Sequence, residues 1–442
     1  MTQGENMETI RIINFIITAI FAVCYAYQFL YVPISLWFQH KDGWRAKNAN
    51  KNMDNDLCDR HLKSYAVLIS ARNEAAVIGQ LIDSINNQTY KGKITTFVMA
   101  DNCTDNTFDV ASDHGAIVYT RKSAKYIGKG YAIEMLLKNI RHDFPMGFDG
   151  YFVFDADNIL SPNYIEEMHK CHLAGNEAIT SYRATKNYGD NWISAGYGLW
   201  FLRESMYLNY SRYRLGSSAA ISGTGFFFSG SVLKDIGGWP FHLLTEDIEF
   251  TIDRICKGRK IAFCRSAVFY DEQPTSLKQS VTQRMRWARG YLQVFGKYGK
   301  TLLSEMFHGS FAAFDMTMNI MPAFFLTAIS ITCNLLYGII GAITGGNILI
   351  ALYSMGETVF NACATLFALG AITLITEWKN IHASTARKIF SLFTFPVFML
   401  TYIPIAFTAL FVNPGWKPIQ HKATTSPITM EIAHRETRSK IS

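Results

Sequence analysis

Asp155 and Asp157 stand one residue apart at the end of the apolar run 151–154. Two carboxylates so close repel each other unless a cation joins them. Hard cations such as Mg2+ or Mn2+ bind a few carboxylates together with substrate phosphates. The competing reading of such a D-x-D is an exposed turn. Further along, Thr245-Glu246-Asp247 follows the turn-forming Gly237-Gly238-Trp239-Pro240; alone, it would serve as a helix N-cap with an acidic first turn. Gln283, Arg286 and Trp287 make a Q-x-x-R-W pattern, which alone would be a basic face lying on a membrane surface. In order and spacing the set is more specific than its members.

These residues need elements to position them. Between 62 and 185 short β-rich runs alternate with helical ones, the pattern of βαβ units on a largely parallel sheet. The residues predict strands at 65–70, 94–100, 116–120 and 151–154, and helices at 74–87, 106–113 and 129–140. Ligands of such sheets bind beyond the carboxyl ends of the strands. Ser70, Arg72 and Glu74 close the first strand, Asp101 follows the second, Lys129 opens a helix between Gly128 and Gly130, and the two aspartates end the fourth strand.

Charged residues are 17% of the 442, well below the roughly 25% of soluble chains, and the deficit is localised. Segments 12–40, 316–356 (continuing past Glu357 to 376) and 389–416 contain no Asp, Glu, Lys or Arg, and each exceeds the ~20 residues that span a bilayer. Gly345-Gly346-Asn347 divides the middle stretch into helices at 318–343 and 348–376. The first segment is longer than a signal-peptide core and no small-residue cleavage site follows, so an anchor is expected. Lys41, Arg45, Lys47 and Lys51 follow it, and Lys379, Arg387 and Lys388 precede the last segment. Basic flanks of this kind place 41–310 in the cytoplasm and account for the net charge of +7 without nucleic acid as a partner. Four crossings would leave the basic tail outside, against the same rule. Either the last segment, interrupted by Pro396 and Pro404, is re-entrant, or a span is miscounted. The eight cysteines show no C-x-x-C spacing, which indicates neither zinc nor a disulfide framework and suits a reducing compartment. Residues 190–214, with Trp192, Trp200 and Phe201 among Arg203, Arg212 and Arg214, and residues 279–297, which carry the Q-x-x-R-W, read as amphipathic helices at the membrane interface. The expected division is a transmembrane helix at 1–40, a cytoplasmic domain at 41–274, interfacial helices at 275–312, transmembrane helices at 313–416 and a polar tail at 417–442.

Asp101, Asp155 with Asp157, Thr245-Glu246-Asp247, and Gln283 with Arg286 and Trp287 resemble, in order and spacing, the signature of the family 2 glycosyltransferases. Within that family the chain looks like the processive membrane synthases of cellulose, mixed-linkage glucan, hyaluronan, chitin and poly-N-acetylglucosamine. The likeness covers residues 60–300 by motif and the membrane helices by layout. It implies an α/β GT-A (Rossmann-like) cytoplasmic domain joined to an α-helical transmembrane domain, in a multi-pass protein of the plasma membrane.

The resemblance also implies roles. Ser70, Arg72, Glu74 and Asp101 would hold the base and ribose of a UDP-sugar donor, and Lys129 the base or diphosphate. Asp155 and Asp157 would bind the Mg2+ or Mn2+ that neutralises the diphosphate. Gln283 and Arg286 would contact the pyrophosphate, where a guanidinium offers bidentate donors. Asp247, positioned by Glu246, is the implied general base, since inversion in one displacement needs a carboxylate within reach of the attacking hydroxyl. Trp287 would stack on the acceptor sugar. Gly225 and Phe228 are assigned to the acceptor too, although Ser229 stands where several relatives carry Cys. The implied reaction polymerises sugar, with UDP-glucose favoured, into a β-linked glycan such as β-glucan, which grows at the lipid bilayer and is exported. A hyaluronan, chitin or poly-N-acetylglucosamine synthase and a non-processive glycolipid-making enzyme are the alternatives. Homo-oligomers and accessory export subunits stay open. A transporter or receptor that merely binds nucleotide sugar is disfavoured by the presence of a base.

Overall fold

The computed structural model of the chain describes residues 3–48, 61–321, 329–330, 332–336, 339 and 348–415. Most of the helix expected at 318–343, with Pro322, Gly338 and Gly341, lies outside the described residues, as do the turn Gly345-Gly346-Asn347 and the tail 417–442.

A long helix, α1 (Gln3–Asn48), precedes β1 (Tyr65–Ala71), α2 (Ile78–Asn86), β2 (Ile94–Asp101), α3 (Thr107–Asp113), β3 (Ile117–Arg121), α4 (Lys129–Asp143) and β4 (Gly150–Asp155). These are the predicted βαβ units to within a few residues. The chain continues through β5 (Ile159–Leu160), α5 (Tyr164–Leu173), β6 (Ala178–Thr185) and α6 (Trp192–Arg203), whose axis runs on through a π-helical segment (Glu204–Asn209) into α7 (Tyr210–Arg214). Then come β7 (Phe226–Ser229), α8 (Gly230–Ile236), α9 (Glu246–Cys256), β8 (Ala262–Asp271), α10 (Leu277–Phe307), α11 (Phe311–Ile320), α12 (Ile348–Thr376), α13 (Thr385–Leu400) and α14 (Tyr402–Phe411).

The strands form one sheet in the order β3-β2-β1-β4-β7-β6-β8-β5. β1 pairs in parallel with β2 and β4, whereas β7 runs antiparallel to both of its neighbours. Side chains alternate along β1 between two cores: Ala66 and Leu68 join Phe97, Leu136, Val153 and Trp239, while Tyr65, Val67 and Ile69 join Ile82, Phe152, Phe154 and Tyr164. Burial on both faces is why the strand reads as a continuous apolar run.

Three described segments, Ile12–Asp42, Val359–Thr376 and Thr385–Phe411, are long and apolar enough to cross a bilayer. The last is broken at Thr401, three residues before Pro404. At the break the carbonyl of Phe398 accepts from Thr401 Oγ1 (2.5 Å) and Arg284 Nη1 (3.0 Å). Arg289 Nη1 reaches the carbonyls of Ala409 and Leu410 at 3.2 and 3.3 Å. Two guanidinium groups of α10 therefore neutralise the carbonyl ends of α13 and α14, where the helix dipole is negative.

The stretch 190–214 differs from the interfacial helix expected. It is buried along most of its length, between β6 on one side and α1 and α13 on the other. Gly196 and Gly198 permit this: a Cβ at either would lie 2.4 Å from the ring of Phe398 or Tyr188. Arg212, counted as part of a polar face, is 1% exposed and pairs with Asp315 of α11, which is 0% exposed. Tyr27 Oη (2.5 Å) and Tyr31 Oη (3.1 Å) of α1 donate to the same carboxylate. This clasp joins the apolar helix α1 to α7 and α11 beside the sheet.

Candidate active site

One cavity opens at the carboxyl edge of the sheet. Ser70, Arg72, Glu74, Asp101, Lys129, Asp155, Asp157, Glu246, Asp247, Gln283, Arg286 and Trp287 all line it. Residues from strand ends, helix starts and α10 thus meet although more than two hundred positions separate the first from the last.

The strand ends are held by side chains that pin the backbone. Asn73 and Asn102 take left-handed conformations, φ 58° and 56°, which asparagine tolerates better than most residues. Asn73 Oδ1 accepts from the Thr104 N–H (2.7 Å), and Asn102 Oδ1 from the Ser123 N–H (2.9 Å). Asp101 beside them is buried and accepts from Arg121 Nη1 at 2.8 Å. Burial lifts its carboxyl above the usual range, against the pull of Arg121.

Lys129 opens α4. Gly130 lets that helix start approach the chain after β7, since a Cβ there would sit 2.0 Å from the Phe241 carbonyl oxygen. The ammonium donates to the Asp155 carboxylate and to the Gly223 carbonyl (2.8 Å). Burial works to depress the Lys129 pKa, but Asp155, Glu246 and Asp247 outweigh it and hold the group charged.

Glu246 and Asp247 form the first turn of α9. Asp247 Oδ2 accepts the Gly223 N–H at 2.5 Å, and Thr251 ties the two segments together by donating to the Asp247 carbonyl (2.9 Å) while accepting the Ile221 N–H (3.1 Å). Burial raises both carboxyls. Asp247 adds to the rise at Glu246, while the Ile248 and Gly223 N–H groups restrain it at Asp247. The helix α10 fixes this loop from the other side. Gly290 faces Thr245 so closely that a Cβ would lie 2.4 Å from its Cγ2. The Leu244 N–H donates to Gln293 Oε1 (3.2 Å), and Lys297 pairs with Glu249 (2.5 Å). The same helix points Gln283, Arg286 and Trp287 into the cavity. Gln283 Oε1 and Arg286 Nε are buried without a hydrogen-bond partner among the described residues, so each has a bond it could make to a ligand or water. Edge contacts with Tyr197 and Phe201 set the plane of the Trp287 ring.

Nine carboxylates and four cationic side chains line the cavity, so a diphosphate would meet a net negative wall. Asp157 Oδ2 accepts the Glu272 N–H (2.9 Å), and among the described residues Asp271 Oδ1 is buried with no hydrogen-bond partner. Among the described residues no three His, Cys, Asp or Glu side chains converge into a complete cage. A two-carboxylate site that takes its remaining oxygens from phosphate and water suits Mg2+ or Mn2+, and the orphaned oxygen and excess charge fit such a cation.

Two expected acceptor residues lie elsewhere. Phe228 is 0% exposed, packed with Tyr151, Trp239 and Phe250. Gly225 has φ 66°, and its place is forced by Phe269, whose ring would be 2.1 Å from a Cβ; its carbonyl accepts from Ser181 Oγ and Tyr164 Oη. Phe228 belongs to the core because β7 is an interior strand, and Gly225 is buried just before it. Conversely, Arg183, Trp200, Phe201, Glu204, Asp271, Glu272 and Tyr291 line the cavity without having been expected there. Arg183 stacks over Phe201 (3.5 Å) and pairs with Asp271. The available signal was a charged residue interrupting an apolar run, as at Arg183 and Glu204.

Comparison with known proteins agrees with the fold. A beta-monoglucosyldiacylglycerol synthase of Nostoc sp. is 25% identical over 61% of this chain and 58% of its own length. A poly-beta-1,6-N-acetyl-D-glucosamine synthase of Staphylococcus aureus is 22% identical over 61% of this chain and 65% of its own. The chain thus spans about six tenths of these relatives. Among solved structures, the mannosyltransferase PcManGT from Pyrobaculum calidifontis, in complex with GDP-Man and Mn2+, superposes with a TM-score of 0.53 at 15% identity, covering 92% of this chain and 99% of that one. The model of the family described as glycosyltransferase like family 2 matches residues 63–290, over half the chain and every motif from Asp101 to Trp287. The α/β sheet is of the GT-A type, and the chain is a member of glycosyltransferase family 2.

Proposed function

We propose that this protein is a membrane-bound, inverting hexosyltransferase that moves a sugar from a UDP-sugar to an acceptor hydroxyl. The observation that carries the reading is the single cavity in which donor-side residues, the buried Asp247 carboxylate and Trp287 meet. The acceptor oxygen attacks the anomeric carbon, the bond from that carbon to the diphosphate oxygen breaks, and the hydroxyl proton passes to Asp247. Lys129, Gln283 and Arg286 stabilise the departing diphosphate with charge-assisted hydrogen bonds. Asp155 and Asp157 would hold Mg2+ or Mn2+, which supplies further charge neutralisation. Ser70, Arg72, Glu74 and Asp101 hold the nucleoside. Glu246 positions the base.

The product favoured is a β-linked polysaccharide, UDP-glucose being the favoured donor, delivered to membrane helices that adjoin the site through α10. The catalytic domain then faces the cytoplasm of a multi-pass plasma-membrane protein. A glycolipid product is the second reading, supported by the name of the Nostoc relative. Purified protein in detergent, given labelled UDP-sugars and Mg2+ or Mn2+, should transfer label. A ladder of chain lengths supports the polymer, a single sugar on lipid the second reading, and no turnover of any donor defeats both.

A further inference from the structure

The cavity has a second carboxylate wall that the reaction above does not use. Glu204 opens the π-helical segment between α6 and α7, a helix irregularity that tends to occur at functional sites. The irregularity is held from outside: Ser35 Oγ of α1 donates to the Met206 carbonyl (2.7 Å), and the Arg183 N–H donates to Ser205 Oγ (3.2 Å). At its start Glu204 lines the cavity with Trp200, Phe201, Asp247, Trp287 and Tyr291.

Glu204 is poorly satisfied there. Among the described residues its one side-chain hydrogen bond is a long one, from Ser222 Oγ at 3.4 Å. The neighbouring cations are committed elsewhere. Arg183 is held by Asp271 and the Ser222 carbonyl (2.9 Å), Arg212 by Asp315, and Arg203 Nη2 reaches Gln28 (3.4 Å). A glutamate carboxyl offers up to about four hydrogen-bonding sites, and among the described residues Ser222 uses one of them.

A carboxylate lining the same cavity as two indole rings suits a pyranose, whose apolar face covers a ring while adjacent hydroxyls donate to the oxygens. It suits neither a phosphate-bearing acceptor, which Glu204 and Asp247 would repel, nor an alcohol with a lone hydroxyl. We infer that Glu204 grips the acceptor by neighbouring hydroxyls, so that the acceptor ends in a neutral sugar rather than in a simple lipid alcohol. The inference rests on the hexosyl-transfer reading and narrows its acceptor.

Two measurements keep the inference and that reading separable. Quenching of tryptophan fluorescence by methyl β-cellobioside, with UDP and Mg2+ present, reports acceptor binding without turnover; transfer from a UDP-sugar to the same glycoside reports the reaction. Dioctanoylglycerol serves as the lone-hydroxyl comparison. Glu204→Ala should weaken cellobioside binding and raise its KM about 10- to 100-fold, with kcat changing much less. Glu204→Gln, which keeps one acceptor oxygen, should recover part of the loss, and thermal melting of each variant separates this from misfolding. Cellobioside affinity within twofold of the parent in both folded variants would overturn the inference, as would tighter binding of dioctanoylglycerol than of the glycoside. Normal Glu204-dependent binding without transfer from any donor would instead defeat the transferase reading and leave the grip intact.

Discussion

Gly290 offers the sharpest test of how the catalytic loop is positioned. Replacing it with alanine in the middle of α10 should, by helix propensity alone, stabilise the chain by about 0.5–1 kcal/mol. The packing predicts the opposite sign. The new Cβ would lie 2.4, 2.5 and 2.9 Å from Cγ2, Oγ1 and Cβ of Thr245, whereas apolar contacts settle near ~3.5–4.0 Å. Helix and loop must therefore separate by about 1 Å, at a cost of roughly 1–3 kcal/mol for overpacking. Thr245 precedes Glu246 and Asp247, so the base moves relative to the Q-x-x-R-W face, and a misplacement of about 1 Å can cost on the order of 100-fold in rate. The assay is kcat for hexosyl transfer alongside thermal unfolding. Gly290→Ala should lower both. Adding Thr245→Ala, which removes the two nearest atoms, should restore part of each. A variant that melts higher and keeps the parent kcat would refute the reasoning.

Asp247→Asn should cut transfer by about 10²- to 10⁴-fold while donor affinity, read by UDP-sugar titration, stays near the parent value. Because burial raises the Asp247 and Glu246 carboxyls and the base must be deprotonated, the acid limb of the kcat/KM profile should lie above the ordinary carboxylate range near ~4, with activity lost as pH falls through it. A limb at or below that range would remove Asp247 from the role. Asp157→Asn should raise the Mg2+ or Mn2+ concentration needed for half-maximal donor binding by at least about 10-fold, and unchanged metal dependence would overturn that assignment. Asp315→Ala leaves the Arg212 guanidinium buried without its partner and should cost about 3–5 kcal/mol, whereas Arg212→Met combined with Asp315→Leu should recover most of it, as followed by thermal unfolding.

The sheet edge was legible because βαβ units write themselves in local periodicity, and the polar residues after 70, 100 and 154 interrupt apolar runs at the register where strands end. The rest depended on which strands become neighbours. Phe226, Phe227 and Phe228 alternate between two cores only because β7 is inserted antiparallel between β4 and β6, a crossover no local pattern announces. Phe228 was misplaced for that reason, and Arg183 and Asp271 went unnoticed because they meet through pairing of β6 with β8. Residues 190–214 misled differently. Their arginines suggested a solvated face, but Arg212 is satisfied by a carboxylate about a hundred positions onward, and nothing nearby in the chain reveals it.

The clasp of Tyr27, Tyr31, Arg212 and Asp315 also has a bearing on biogenesis. Its hydroxyls and its carboxylate are 288 and 284 positions apart, so α1 is docked by a segment made after the whole sheet. Until then the early helix has no carboxylate to receive its tyrosines, and the arginine is an unneutralised cation among apolar neighbours. The clasp therefore closes only after every strand of the sheet has been made, and a chain ending before residue 315 would hold Arg212 without the carboxylate that pairs with it.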